Sequence, residues 1–427
     1  MRVVTVNLKH SANLGDRLIS ECLLSELRAI DPSLSLVSAD LAGRDRAGQG
    51  RRNRVFAMAT LKALPRSLRA LLAEGLLRLL AAFRLRPMWR RVLANADAVV
   101  LGGGNLLADS DLNFPIKVSV VLEEAARRRL AVGIFAVGVS PGWTPKGQAL
   151  FGRSIARVWL VFASVRDEGS QLLWQEQLDR FGIVGAGLAL DPGLLTARHY
   201  PRPAVAGTEA PVGICLTSPI ALDYHAIGVE ISAAIDDWYI ALGQALLRRG
   251  HKVLYFATGS SEDVDYLERV IPKLREASDA RIDVAPPSVD PAGLVALIGG
   301  CKLVMAHRLH ACIPAYSYGV PSIGFTWDPK MTGFFHLIGY PERLIDPSIV
   351  SAEAAADCGE AALRQGVDAD RLRGHVERAR EDVAALVKQL RTAVEQGRPK
   401  NRMPLPNASV GRCWLNPAPR SQKLPGN

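Results

Sequence analysis

The chain has 427 residues, a net charge of +10, 48% hydrophobic residues and 22% charged ones. That length exceeds one ordinary domain and suits two of about 150–200 residues each, and the composition is globular, which excludes a disordered or fibrous chain. The charge is concentrated: residues 51–91 hold eleven basic side chains (Arg51, Arg52, Arg54, Lys62, Arg66, Arg69, Arg78, Arg84, Arg86, Arg90, Arg91) against one acidic, Glu74, so the remainder is close to neutral,.

The six cysteines are scattered and none has the spacing of a zinc knuckle or a CxxC redox pair,. They read as reduced thiols of a cytosolic protein, and no metal site is expected. No run of 18 uncharged apolar residues offers a membrane span,. The opening residues 1–8 read as a strand rather than an export signal, which places the chain in the cytoplasm,.

Short apolar strands alternate with amphipathic helices, the pattern of parallel sheets flanked by helices. A strand is predicted over 2–8 and a helix over 17–30, with Ile19, Cys22, Leu23, Leu27 and Ile30 on one face,. A strand over 98–101 ends in three glycines. A helix over 115–129, a strand over 131–137, a strand over 159–164 and a helix from 167 follow. Residues 196–211, with three prolines, read as an interdomain linker,. The second set has strands over 212–216, 252–257, 302–305 and 321–325, and helices over 230–249, 262–278, 290–299 and 309–318. A charged helix over 367–396 is expected to fold back across the first domain. Residues 397–427, rich in Pro, Asn, Arg and Ser, are expected to be a disordered tail,. The division is thus 1–200, an N-terminal domain with the basic insertion 51–91, then 211–396 and the tail.

The motifs fall at carboxyl ends of strands, where open α/β sheets bind ligands. Asn13-Leu14-Gly15-Asp16 reads as a tight turn with Asp16 capping the following helix, whose N-terminus offers N–H groups to an anion,. Gly102-Gly103-Gly104-Asn105, followed by Asp109, lets a ligand approach backbone closely but is no dinucleotide fingerprint,. Arg166, in Ser164-Val165-Arg166-Asp167, can grip a carboxylate or phosphate with two parallel hydrogen bonds, or pair with Asp167 or Glu168,. Asp191, before Pro192, reads as a turn former. Thr258 to Asp263 is a strand-to-helix junction that either holds an anion or caps the helix. The most specific stretch is His307-Arg308-Leu309-His310, with Pro314 expected in the first turn of the next helix,. Beyond it, Lys330 in Trp327-Asp328-Pro329-Lys330 is a candidate phosphate ligand,.

In this order the motifs resemble the polysaccharide pyruvyl transferase family over roughly residues 3–345: Asn-x-Gly-Asp, Gly-Gly-Gly after a strand, Ser-x-Arg-Asp-x-x-Ser, Asp-Pro, Arg-Leu-His-Ala, Gly-Val-Pro and Asp-Pro-Lys. The resemblance implies two Rossmann-like domains facing a cleft in a glycosyltransferase-B-like arrangement. It implies phosphoenolpyruvate as donor substrate, no separate cofactor, and a glycan of the cell surface or an exopolysaccharide as acceptor. It puts donor binding on Arg166, Arg308, Leu309 and His310, and an acidic role on Asp109. The basic segment and Pro314 have no counterpart in the family's motifs.

On that reading the enol methylene gains a proton, a sugar hydroxyl adds to carbon 2, phosphate leaves, and a second hydroxyl closes a cyclic ketal. This needs an acid, a base and a phosphate clamp. His310 is the expected acid or phosphate partner, and Asp109 or Asp16 the base. Asn13, Gly15, Gly103, Gly104, Asn105 and Lys330 complete the substrate-binding set. Two alternatives remain open: a glycosyltransferase of the same frame using a nucleotide sugar, and a non-catalytic anion-binding protein. In the basic segment, leucines between Leu68 and Phe83 recur at helical spacing with arginines beside them. They suit either a core-facing helix or one lying on the anionic inner face of a membrane, where a lipid-linked acceptor would be found. Nucleic acid is not an expected partner, because no binding motif appears and no aromatics interleave with the charges.

Overall fold

The computed structural model describes residues 1–46, 66–203, 210–219, 235–278 and 282–397, without the side chains of 66–71. Arg51, Arg52, Arg54, Lys62, the centre of the expected linker and the tail from 398 lie outside the described residues.

The first half is a six-stranded parallel sheet in the order β2-β1-β3-β4-β5-β6. Its strands are β1 (Arg2–Asn7), β2 (Ser35–Asp40), β3 (Ala98–Gly102), β4 (Ala131–Val137), β5 (Trp159–Val165) and β6 (Gly187–Leu188). The connecting helices are α1 (Leu14–Ile30), α2 (Arg66–Leu80), α3 (Arg86–Val92), α4 (Asn113–Arg127), α5 (Pro145–Arg157) and α6 (Glu168–Leu178). Every residue of β3 and β4 is buried, as expected of central strands covered on both faces,.

A short helix, α7 (Thr196–His199), occupies the start of the expected linker. The second half is another six-stranded parallel sheet, ordered β12-β11-β10-β7-β8-β9. Its strands are β7 (Val212–Cys215), β8 (Val253–Phe256), β9 (Ile282–Val284), β10 (Leu303–Ala306), β11 (Ser322–Phe325) and β12 (Leu344–Ile345). Its helices are α8 (Ile235–Arg248), α9 (Ser261–Ala277), α10 (Pro291–Gly299), α11 (Leu309–Ser317), α12 (Pro329–Leu337), α13 (Ala352–Gln365) and α14 (Ala369–Gln396). Renumbered within this half, the order is 3-2-1-4-5-6, the doubly wound Rossmann arrangement. Each sheet reverses direction of winding once, between β1 and β3 and between β7 and β10, and these are the places where ligands bind.

One apolar core runs from half to half. Leu14, Leu18, Leu23 and Leu27 of α1 share it with Leu294 and Ile298 of α10 and with Ile313 and Tyr316 of α11. The long α14 returns over the first sheet. Leu386 lies so close to Gly133 of β4 that a Cβ there would sit 2.7 Å from its methyl carbon. Arg380 and Arg391 of α14 pair with Glu26 and Asp31 at the end of α1. Among the described residues, no helix is long and apolar enough to cross a membrane.

Pro314 corrects one expectation. It is the sixth residue of α11, past the first turn, so it leaves the His310 carbonyl without its usual i+4 donor,. The helix has only nine residues and is buried from Ala311 to Ser317, so packing rather than its hydrogen-bond ladder holds it,.

Candidate active site

The two switch points meet. The turn after β1 enters α1 through Asn13, whose side chain accepts the Gly15 N–H at 3.0 Å. Asn13 is therefore the N-cap, and Asp16 is not; Asp16 lies in the first turn and accepts the Ser11 hydroxyl at 3.0 Å. Gly15 has to be glycine, because a Cβ would lie 2.4 Å from the Cβ of His310 across the cleft. Nearby, the Leu14 N–H donates to the Thr258 carbonyl at 3.0 Å, a second tie between the halves.

The glycine run after β3 closes on the same place. Gly103 and Gly104 both have positive φ, 70° and 74°. A Cβ on Gly103 would lie 2.2 Å from an Ile19 methyl, and one on Gly104 would face the Asp16 carboxylate at 3.9 Å. Asn105 then reaches across the cleft. With its amide oxygen turned to Lys330 Nζ (3.2 Å) and Ser140 Oγ (2.8 Å), its nitrogen donates to the Gly138 carbonyl at 3.3 Å,.

Arg166, the first residue after β5, is 7% exposed. Its Nε is 3.5 Å from Asp167 and its Nη1 is 3.5 Å from Asp191, yet neither nitrogen has a hydrogen-bond acceptor. His310, second residue of α11, brings Nε2 to 3.9 Å from the same Asp191 oxygen. That nitrogen and that oxygen are also buried without hydrogen-bond partners. A buried polar group left without a hydrogen bond is costly, so four such atoms converging on one point mark a candidate ligand site. Burial pushes the Asp191 carboxyl up, but His310, Arg166 and the Gly193 N–H outweigh it and hold it below the ordinary carboxylate range.

Arg308 differs. Its Nε and Nη2 donate to the two oxygens of Asp263 at 2.8 and 2.9 Å, and its guanidinium lies over the Trp327 ring. Asp263, fully buried, also accepts the Ser218 N–H. Of the two readings of the junction from Thr258 to Asp263, the structure shows the cap: Ser260 caps α9, while Asp263 pairs with Arg308. Arg308 is the N-cap of α11 but makes no capping hydrogen bond, whereas Asn13, Asp167 and Asp328 cap α1, α6 and α12. The first N–H groups of α11, at Leu309 and His310, are therefore left uncapped by any side chain,.

Lys330 pairs with Asp328 at 3.0 Å. Burial and the nearby Arg166 hold the Lys330 ammonium below its ordinary range, against the pull of Asp328 and Asp167. Asp328 is held low by Lys330 and Arg166, which outweigh its own burial. His307 is a core residue: it is 1% exposed, shares a 2.7 Å hydrogen bond with the Tyr239 hydroxyl, and burial drives its pKa down to about 3.

The structure gives Asp109 another task. One carboxylate oxygen accepts from the Thr144 N–H and hydroxyl at 2.8 and 2.6 Å, and the other accepts the Leu112 N–H at 2.9 Å. These bonds hold the left-handed pair Asp111 and Leu112 at the start of α4. With both oxygens committed, Asp109 is a loop anchor, and Asp16 is the carboxylate that remains beside the glycine run. Asp191 and Asp263 were missed as site residues, and no local spacing announces that they face Arg166, His310 and Arg308.

The fold is two Rossmann-like domains in a glycosyltransferase-B-like arrangement, with strand ends meeting over buried cations. A family model for polysaccharide pyruvyl transferase matches residues 13–329, so the chain belongs to that family of enzymes, which pyruvylate glycans. No curated protein matches the chain by sequence. Among solved structures it is similar to the UDP-GlcNAc 2-epimerase of Methanocaldococcus jannaschii, with TM-score 0.55 and 12% identity over 91% of this chain and 100% of that one. It is also similar to the UDP-GlcNAc 2-epimerase of Neisseria meningitidis, with TM-score 0.52 and 11% identity over 92% and 100%. At such identity the likeness is one of fold.

Proposed function

We propose that the enzyme takes phosphoenolpyruvate as donor and builds a pyruvate ketal on a sugar of a cell-surface glycan or exopolysaccharide. The observation that carries this reading is the unbonded set of Arg166 Nε and Nη1 beside His310 Nε2, next to the uncapped start of α11. A small donor with a carboxylate at one end and a phosphate at the other fits those groups. Arg166 grips one anionic end, while the Leu309 and His310 N–H groups and Lys330 take the other.

His310 delivers the proton to the methylene carbon, which becomes the methyl group. Carbon 2 takes up positive charge and accepts the first sugar hydroxyl. The bond from carbon 2 to the phosphate oxygen then breaks, phosphate leaves with the electron pair, and the second hydroxyl adds in its place. The two hydroxyl protons leave as the ring closes. Asp16 is the base assigned to the first of them, the His310 imidazole left without its proton takes up the second, and Asp191 keeps Arg166 and His310 at the reacting centre. No cofactor enters this scheme.

The test is release of inorganic phosphate from phosphoenolpyruvate with a panel of glycosides. Release that depends on the acceptor and disappears in Arg166→Ala is expected. No release with any acceptor, together with turnover of a nucleotide sugar, would overturn the reading.

A further inference from the structure

Between β2 and β3, α2 runs through a π-turn (Ala81–Leu85) into α3. One side of this helical stretch is core: Ala81, Leu85 and Trp89 are buried, and Leu77, Leu80 and Met88 pack against them. That burial is all a surface helix needs to be held in place. The opposite side is also apolar. Leu72, Leu76, Leu79 and Phe83 are 49%, 60%, 56% and 80% exposed. Their spacing of four, three and four places them in one row along the helix. Elsewhere, exposed large apolar residues such as Val289 and Ile349 stand on separate elements.

Cations border the row. Arg78, Arg84 and Lys146 are about half exposed, and Arg90 and Arg91 lie exposed some two turns beyond Phe83,. Glu74, the acidic residue between 72 and 91, is already paired with Arg78 and Lys146. An apolar row with a positive border has the chemistry of a helix lying in the headgroup region of an anionic bilayer. A second copy of this face is a poor occupant, because it would bring like charges together.

Its placement gives the row a use. α3 leads back into β3, so the stretch runs antiparallel to the strands, and Leu72 lies toward their carboxyl ends. Lys146, in the first turn of the helix α5 that follows β4, supports this by pairing with Glu74. That is the edge of the sheet on which the cleft opens. We infer that the row Leu72, Leu76, Leu79 and Phe83, with its arginine border, docks the enzyme on an anionic lipid surface. The cleft rim is then presented to an acceptor sugar carried on a membrane lipid. The second half of this inference rests on the pyruvyl-transfer reading; lipid binding itself does not.

The test is co-sedimentation of the full chain with phosphatidylglycerol-containing vesicles and with pure phosphatidylcholine vesicles, with neither donor nor acceptor present. Binding to the anionic vesicles that weakens with salt is expected. The double variant Leu76→Glu/Phe83→Glu is expected to lose roughly 10-fold or more of that binding. Arg90→Glu/Arg91→Glu is expected to lose the preference for anionic lipid. Phosphate release with a water-soluble glycoside is expected to be unchanged in both variants, which separates this inference from the function. Failure of the wild-type chain to bind either vesicle overturns it. So does a wild-type dimer in sedimentation velocity that Leu76→Glu/Phe83→Glu converts to monomer, since the row is then an interface between copies.

Discussion

Arg166 and Arg308 both stand just past the carboxyl ends of strands, β5 in one half and β10 in the other. Their surroundings are opposite. Arg308 is locked edge-on to the buried Asp263, with two hydrogen bonds under 3 Å. Arg166 is the more buried of the two, yet it has carboxylates only at 3.5 Å and two nitrogens without acceptors. One guanidinium is therefore part of the fold, while the other keeps two hydrogen-bonding nitrogens that no protein acceptor uses. A sequence shows two arginines at strand ends; only the three-dimensional pairing separates these roles.

The largest expected effect follows from the free arginine. Arg166→Ala should lower kcat/KM for phosphate release by about 10³-fold, as loss of a charged donor at a reacting centre does, at a smaller cost in thermal stability than Arg308→Ala, because the buried Asp191 keeps His310 and the Gly193 N–H,. Arg166→Lys should recover little, because an ammonium cannot offer two parallel bonds. A marked loss of thermal stability in Arg166→Ala would erase the distinction between the two arginines.

Arg308→Ala sharpens the same contrast from the other side. It strands the Asp263 carboxylate, fully buried, with no counter-ion, so it should cost about 3 kcal/mol of folding stability in denaturant titration,. Asp191→Asn comes next, with a fall in kcat of roughly 10- to 100-fold at little cost in stability. The amide still accepts the Gly193 N–H but no longer offers charge to Arg166 and His310,. A positioning role for Asp191 also requires the pH–rate profile to move in this variant; an unmoved profile with normal kcat would reduce Asp191 to a turn former.

The central strands were legible because β1, β3, β4, β7, β8, β10 and β11 are short apolar runs ended by turn residues. β2, β6, β9 and β12 were not: they are the edge strands of the two sheets, two to six residues long, and β2 (Ser35–Asp40) is mostly half-buried, with polar residues at 35, 38 and 40 that break any alternation. α5, α12 and α13 were also passed over, although Thr144, Asp328 and Ser351 mark their starts as N-caps. In the site, Asn13, Gly15, the glycine run, Arg166, His310 and Lys330 could be found because each lies at a strand end. Asp109 sits at such an end too and looked equally apt, but its neighbour Thr144 is 35 residues away and claims it. Asp263 is 45 residues from Arg308, and Asp191 is 119 from His310, so their pairing is a product of topology that spacing alone does not carry.

A final contrast sets the site's unpaired groups against a fully satisfied carboxylate far from it. Glu26 of α1 is completely buried and meets His199, Arg198 and Arg380 at 2.9, 3.3 and 3.2 Å. Burial pushes its carboxyl up, but His199 and the two arginines prevail and bring its pKa to about 2. A carboxyl whose folded pKa lies below its unfolded one contributes stability that is complete above the unfolded value. That stability drains away as pH falls toward the folded one. The window therefore opens near 4.5 and closes near 2. Because Arg380 belongs to α14, the first consequence of protonation should be loosening of α14 from α1. Urea midpoints followed from about pH 6 to about pH 3 should fall for the wild type, whereas Glu26→Gln should start lower and fall less steeply. Parallel curves for the two proteins would mean that the acid sensitivity lies elsewhere, with the buried neutral His307 the next group to replace, since its window opens higher, near 6.5, and runs down to about 3.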